Sequence, residues 1–451
     1  MNEASKPGGA QGSGIQQYTG QPISRRKALA GLASLGGTGL VYGTGTRTAS
    51  AASATNIVLL VGDGMGPNQI KSGRGLKAAR AGRSGSTEPL QLDRHTYSGE
   101  STTTNESGGI TDSAAAGTAI STGFKTRNGV IGGIIDSSGR FVPKETVLER
   151  AKKAGYKTGL VSTSTITDAT PAAFGAHVAD RSKQAEIARQ YIEATGVDVL
   201  LGGGRRYFSS TLRDKAKSAG YTYVDTASKL SNLSGSGRTL GLFASSSLNS
   251  AVTRFNSSTT QPNMDLMIRK AMQRLGSGKS FLVVENEHID TNAHSNDPAF
   301  THDVLELDES GTRIALDSRG SETLVITTAD HETGGLSFTS SPNFRVINNL
   351  KATGNTLRKR IASADGDETQ IRAIVADGTG ITDLTVLEME SLKANSGNIR
   401  KIVSNRAGYR WSTTKHTKTA VPRFATGPGA SSLQGQSHLT GLSDVMRSVI
   451  S

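Results

Sequence analysis

The stretch Ile57-Val58-Leu59-Leu60-Val61-Gly62-Asp63-Gly64-Met65-Gly66 decides how this chain is read. Residues 57–61 are apolar without a polar interruption. A strand with one wet face would alternate, so this run predicts a strand buried on both faces. The Gly-Asp-Gly that follows supplies turn residues and ends it. Further short apolar runs at 159–161, 197–201, 281–284 and 324–326 are bounded by Gly or polar residues in the same way. Between them, 143–154, 183–195, 264–275 and 300–316 read as helices. Strands alternating with helices predict an α/β fold with a mostly parallel central sheet covered by helices on both faces, a three-layer sandwich. Residues 230–260, rich in Gly, Ser and Thr, are expected to be a loop or a weakly structured insertion. From about 337 to 410 the alternation weakens and charges alternate, which reads as an inserted cap of helices. The sequence shows no internal repeat of fixed period.

Composition narrows the function classes. The 451 residues include no Cys, which excludes disulfides, thiolate metal ligands and a thiol nucleophile. Any metal must therefore be held by His and carboxylates. No run of eighteen apolar residues predicts a membrane-spanning helix. The net charge is +13, of which residues 1–54 carry +4. A basic surface attracts anions. The basic residues are scattered, however, and no aromatic-interleaved stripe marks a specific nucleic-acid partner. The excess suits small phosphate-bearing molecules equally well.

Residues 1–54 read as a leader. A polar start is followed by Ser24-Arg25-Arg26-Lys27, a mildly apolar Gly-rich stretch, and small residues with cleavage sites after Ala51 or Ala54. Basic, apolar and small-residue segments in that order form an export signal, and the paired Arg points to the twin-arginine machinery. The expected location is therefore periplasmic or extracellular. A disordered tail that happens to hold two Arg is the alternative.

In open α/β sheets, function collects at the carboxyl ends of the strands. Here 57–61 runs into Asp63, 281–284 runs into Glu285, Asp290 and His294, and 324–328 runs into Asp330-His331-Glu332. Each alone also fits a structural turn or a surface pair; the three together point to a site. Asp290 and His294 are four apart, the spacing at which two side chains share a helix face. Asp330 and His331 are adjacent and can serve one ion only on irregular backbone. His416 precedes another apolar segment and is a candidate to close the site. Carboxylates with imidazoles and no sulfur suit Zn²⁺, with Mg²⁺ at an all-oxygen position. In Thr111-Asp112-Ser113-Ala114-Ala115-Ala116, capping residues open a helix of small residues. Ser113 is then either part of a cap or, beside a metal cluster, a nucleophile.

These residues resemble an alkaline phosphatase. The matching pieces are Asp63 in Gly-Asp-Gly-Met-Gly, Asp112-Ser113-Ala114, Asp168-Ala169-Thr170-Pro171-Ala172 and His177 to Arg181. Glu285 with Asp290 and His294 follows, then Ala329 to Gly335 and His416-Thr417. The resemblance runs from about Asn56 to the C-terminus and is poor only in 337–410. It implies that Asp290, His294 and His416 hold one Zn²⁺, which activates water and stabilises the leaving oxygen. Asp63, Asp330 and His331 hold a second, which binds Ser113 as alkoxide. Asp63, Thr170 and Glu285 hold Mg²⁺, with Asp168 in its outer shell. Arg181 grips two phosphate oxygens, Asp112 positions it, and Ser113 carries a phosphoryl group between two displacements. Substrates are then phosphate monoesters, and a homodimer or a monomer is left open. Thr291 departs from the Lys, His or Trp common in relatives, which puts the third-metal preference in question. His288 is expected to be a supporting or surface residue, and His95, His302 and His438 to be structural. A phosphodiesterase of the same superfamily would lack Arg181 and Glu285, a sulfatase would need a Cys, and a non-catalytic binding protein would not need Ser113.

Replacing Arg25 and Arg26 together with Lys is expected to leave the protein in the cytoplasm, read by cell fractionation; export at the unaltered level would exclude the twin-arginine reading.

Overall fold

The apolar run at 57–61 lies within the strand Asn56–Gly62, buried along its whole length. It sits inside a ten-stranded sheet in the computed structural model, which describes residues 53–83, 86–318 and 320–451. The leader, apart from its last two positions, lies outside the described residues. Across the sheet the order is Gly435–His438, Tyr97–Thr102, Val421–Thr426, Thr323–Thr328, Asn56–Gly62, Ser280–Asn286, Lys157–Thr165, Val199–Gly203, Thr239–Leu242 and Thr222–Val224. Only Val421–Thr426 runs against the rest. The neighbours Asn56–Gly62, Ser280–Asn286 and Thr323–Thr328 are buried at every position, as parallel strands covered on both faces must be. Val421–Thr426, nearer one edge, alternates buried and half-buried residues.

Register places the chemistry. Val61 stands opposite both Glu285 and Thr328, and Ser162 stands opposite Glu285. Four adjacent parallel strands therefore end level, and Asp63, Glu285 and Asp330 leave the sheet at the same edge.

Helix expectations held with informative shifts. Met264–Leu275 spans the anticipated residues, capped by Asn263, whose side chain accepts from the Leu266 amide. The helix expected at 143–154 begins only at Val147, because Thr146 and Glu149 form a reciprocal capping box and Pro143 ends a short strand. The helix Phe300–Glu306 continues through a π-helical segment, Leu307–Thr312, into Arg313–Asp317. Residues 230–260 are only in part a loop: Thr239–Leu242 is a fully buried strand of the sheet, and Ala251–Asn256 is helical. Gly241 belongs to that strand because a Cβ there would press on Leu201 and Phe243. Within 337–410 lie the helices Phe344–Asn348, Gly354–Ala362, Glu368–Thr379, Val386–Ala394 and Ile399–Ala407. No helix among the described residues is long and apolar enough to cross a membrane.

The Ala251–Asn256 helix is tied to the core by an ion pair with no solvent access. Arg254 donates to Glu306 at 2.5 Å, and the two side chains are 1% and 0% exposed. Breaking a buried pair from one side leaves the other charge unpaired. Glu306→Ala is expected to destabilise the fold by about 3–5 kcal/mol in urea unfolding; a loss below about 1 kcal/mol would show that Arg254 finds water or another partner.

Candidate metal centre

Asp63, Asp330 and His331 converge first. A ligand atom from each lies within 4.8 Å of the others, and all three residues are buried. His331 Nε2 is 3.2 Å from Asp330 Oδ2 and 3.5 Å from Asp63 Oδ1. Those two carboxylate oxygens, fully shielded from solvent, have no hydrogen-bond partner. Burial, reinforced by the neighbouring carboxylates, pushes the Asp63 carboxyl well above its usual range. Burial likewise pushes Asp330 up to about 7. Burial and His416 push the His331 imidazole down, so it stays neutral. Buried carboxylates without partners are costly unless a cation joins them. A neutral imidazole with two free carboxylate oxygens is a donor set that fits Zn²⁺.

A second set adjoins it. The helix His288–His294 presents Asp290 and His294 one turn apart. His416 arrives on a two-stranded ribbon in which Thr333 pairs with His416 and Glu332 with Thr417. His294 Nε2 lies 3.2 Å from Asp290 Oδ2 and 2.9 Å from His416 Nε2, which is itself 3.6 Å from Asp290 Oδ1. Backbone carbonyls orient both rings: His294 Nδ1 faces Thr414 O at 2.6 Å, and His416 Nδ1 faces Thr111 O at 2.9 Å. With each Nδ1–H donated, both Nε2 lone pairs point at each other, an arrangement that a shared proton or a cation must relieve. Asp290 raises His294 to about 9. Against its own burial, the surrounding imidazoles hold Asp290 down to about 2. His331 stacks on His416 with ring centres 3.6 Å apart, so the two sets share a wall.

The third set is oxygen only. Glu285, at the end of its strand, accepts from Ser162 Oγ at 2.5 Å, and burial pushes its carboxyl up to about 8. The buried Thr170 hydroxyl faces the Glu285 carboxyl. Asp63 feels the Glu285 charge. A set of hard oxygens with no nitrogen or sulfur donor fits Mg²⁺. Asp168 caps the helix Ala169–Gly175, accepting from the Ala169 amide at 2.8 Å, and also accepts from Ser164 Oγ at 2.8 Å.

Ser113 opens the helix Ser113–Thr122, with Asp112 as its N-cap. Capping and function are not alternatives here. One Asp112 oxygen accepts from the Ala115 amide at 2.9 Å; the other accepts from Gly129 N at 2.9 Å and from Arg181 at 3.2 Å. Ser113 Oγ sits 3.2 Å from His331 Nε2, at the wall shared by the two ligand sets. Gly117 lets this helix approach its neighbour closely, since a Cβ there would meet Ala173 Cβ at 3.0 Å. Arg181 is held between two carboxylates, with its second amino group donating to Asp168 at 3.1 Å. Burial opposes the Arg181 charge, and both carboxylates offset that, so the guanidinium stays charged with donors left over for an anion.

Other histidines divide as structure requires. His95 bridges Thr327 and Thr426, His302 faces Ile347 O, and His438 faces Thr104 O. His288 is buried, not on the surface, and faces Leu248 O at 2.6 Å. Sequence reasoning missed Thr333, whose hydroxyl donates to Asp290 Oδ1 at 2.5 Å, although it lies inside the Asp330–Gly335 run. It also missed Glu287, an acid one position beyond a buried strand, with one oxygen unpartnered and the other accepting from Thr291.

The alkaline phosphatase family model matches residues 54–451. The chain is 34% identical over 425 residues to alkaline phosphatase 4 of Bacillus subtilis, a match covering 88% of this chain and 89% of that protein. It is 31% identical over 434 residues to the repressible alkaline phosphatase of Saccharomyces cerevisiae, covering 82% and 75%. The crystal structure of a cold-active alkaline phosphatase from a psychrophile, Shewanella sp., superposes with a TM-score of 0.77 at 28% identity, covering 88% of this chain and all of that one. The chain belongs to the alkaline phosphatase family, whose members hydrolyse phosphate monoesters.

Proposed function

We propose that the chain cleaves phosphate monoesters by passing the phosphoryl group through Ser113. In the first displacement the bond from Ser113 Oγ to phosphorus forms and the bond from phosphorus to the ester oxygen breaks. The serine proton is lost to solvent, and the leaving oxygen takes one up. In the second, a water oxygen attacks phosphorus and gives up a proton, the Ser113 bond breaks, Oγ regains a proton and inorganic phosphate leaves. Two in-line displacements give retention at phosphorus. The observation that carries this reading is the position of Ser113 Oγ, 3.2 Å from His331 Nε2 and beside two unpartnered carboxylate oxygens.

The donor sets suit a zinc ion among Asp290, His294 and His416, a second among Asp63, Asp330 and His331, and Mg²⁺ among Asp63, Thr170 and Glu285. When bound, the cations supply the positive charge that favours a deprotonated nucleophile and offsets charge on the departing oxygen. Asp168 stands close to the third set and, with Asp112, aims Arg181 at the non-bridging phosphate oxygens. A monoester dianion has three non-bridging oxygens, two for the guanidinium fork and one left to face the ligand sets; a diester has two in all and a single negative charge. Arg181 therefore favours monoesters over diesters.

Export by the twin-arginine route remains part of the proposal. Supporting a cleavage upstream of Ala54, that residue is 1% exposed, its amide donates to Val449 O at 3.0 Å and its carbonyl accepts from Tyr156 Oη at 2.5 Å. Removing it would strip a packed residue from the sheet's end.

One experiment tests the mechanism: turnover of p-nitrophenyl phosphate and its bis-ester by the native protein, the metal-stripped protein and Ser113→Ala. The native protein should prefer the monoester. Stripping should abolish turnover until Zn²⁺ and Mg²⁺ are returned, and Ser113→Ala should lose on the order of 10³-fold or more even when fully loaded. Full monoester turnover by Ser113→Ala would overturn the nucleophile, and preference for the bis-ester would overturn the substrate class.

A further inference from the structure

Asn128 and Gly129 form a turn on the loop after the helix Ser113–Thr122, and its hydrogen bonds run both to the segment before Ser113 and to Arg181. Gly129 has φ +85°, the left-handed backbone that glycine adopts at little cost. Its N–H donates to Asp112 Oδ2 at 2.9 Å, the oxygen that also accepts from the Arg181 guanidinium at 3.2 Å. Its carbonyl accepts from the Arg181 amide at 2.8 Å. Arg181 is thus held at both ends by one residue, at the backbone directly and at the guanidinium through Asp112. The Asn128 side chain brackets residues 110–112. Oδ1 accepts from the Asp112 amide at 3.2 Å, and Nδ2 donates to Ile110 O at 3.0 Å. Asn105 Nδ2 joins the same two acceptors, Asn128 Oδ1 at 3.0 Å and Ile110 O at 3.2 Å.

The turn is anchored on both sides. Ile131 and Val178 exchange backbone hydrogen bonds at 2.9 and 3.1 Å, which ties the loop to the segment leading to Arg181. Thr118, buried inside the helix Ser113–Thr122, donates to Val130 O at 3.0 Å and accepts from the Gly132 amide at 3.0 Å. Residues 128–132 therefore act as a spacer between the helix that Ser113 opens and the segment that carries Arg181. Displacement at phosphorus needs the attacking oxygen and the phosphate grip in a constant relation, because an offset of about 1 Å can cost on the order of a hundredfold in rate.

We infer that Asn128 and Gly129 are positioning residues for the phosphate grip: their turn fixes Arg181 against Ser113 and so sets how tightly the site holds the phosphoryl group. This rests on the monoester reading proposed above. Among the described residues neither one hydrogen-bonds to a candidate metal ligand, so an effect on phosphate binding separates from an effect on zinc. Asn128 is exposed, and a Cβ at Gly129 would meet nothing within 4 Å. Asn128→Ala therefore opens no cavity, and Gly129→Ala makes no clash. Gly129→Ala acts only through the left-handed φ, which disfavours Ala and loosens the turn.

The test uses the zinc- and magnesium-loaded protein with Asn128→Ala and Gly129→Ala, each alone and each combined with Arg181→Ala. It measures kcat and KM for p-nitrophenyl phosphate, the inhibition constant of inorganic phosphate, and bound zinc. Each single variant is expected to lower kcat/KM and to raise the inhibition constant on the order of tenfold, with bound zinc unchanged. Without the Arg181 guanidinium the turn has nothing left to aim, so in the Arg181→Ala background each should cost less than about threefold in kcat/KM. The same loss in both backgrounds, an unchanged kcat/KM and inhibition constant, or a loss of activity matched by a loss of bound zinc would overturn the inference and leave the monoester reading intact. Absence of monoester turnover by the loaded native protein would overturn both. If Asn128→Ala does not accumulate, Gly129→Ala decides by the same outcomes.

Discussion

Carboxylates that are buried and lack partners impose the central constraint on this molecule. Asp63 and Asp330 each keep an oxygen that neither water nor a protein donor reaches, with the neutral His331 between them. Holding such groups together raises the energy of the metal-free fold and lowers it once cations arrive. The surroundings make sense as the means of keeping them there. Level strand ends bring Asp63, Glu285 and Asp330 to one edge. Carbonyls of Thr111 and Thr414 orient the His416 and His294 rings, and Thr333 steadies Asp290. Glu332 ties these segments together from behind.

The role proposed for Ser113 rests on this setting and not on its own helix. The first turn is an ordinary capped one, and Asp112 performs the capping. What distinguishes the turn is that the second oxygen of Asp112 holds Arg181, which Asp168 holds from the other side. A guanidinium fixed at two points keeps its plane, and with it the direction of its remaining donors. The same side chain thus caps the helix that Ser113 opens and holds the Arg181 guanidinium, which keeps Ser113 and Arg181 in fixed relation.

Much of this was legible beforehand, for identifiable reasons. Strands buried on both faces leave uninterrupted apolar runs, so 57–61 and 281–284 stood out. The strand Thr239–Leu242 did not, because Thr-Leu-Gly-Leu is short and sits among Gly and Ser residues that usually mark loops. The helix at 143–154 began late because a capping box, a side-chain reciprocity between Thr146 and Glu149, outranks the apolar pattern. Among site residues, those at strand ends or at i, i+4 spacing announced themselves. Thr333, Ser162 and Glu332 did not, since supporting side chains are recognised only by what they touch, and those contacts cross from 43 to 263 positions of sequence for Thr333 to Asp290 and Gln69 to Glu332.

Ser113 is proposed to carry the phosphoryl group because cations gather at this edge. The most direct test is acid quenching of the zinc- and magnesium-loaded protein incubated with a phosphate monoester, followed by peptide mass spectrometry. Phosphate is expected on Ser113 in the loaded protein and none in the metal-stripped one. Phosphate on a different residue, or labelling of Ser113 that persists without metal, would contradict this role.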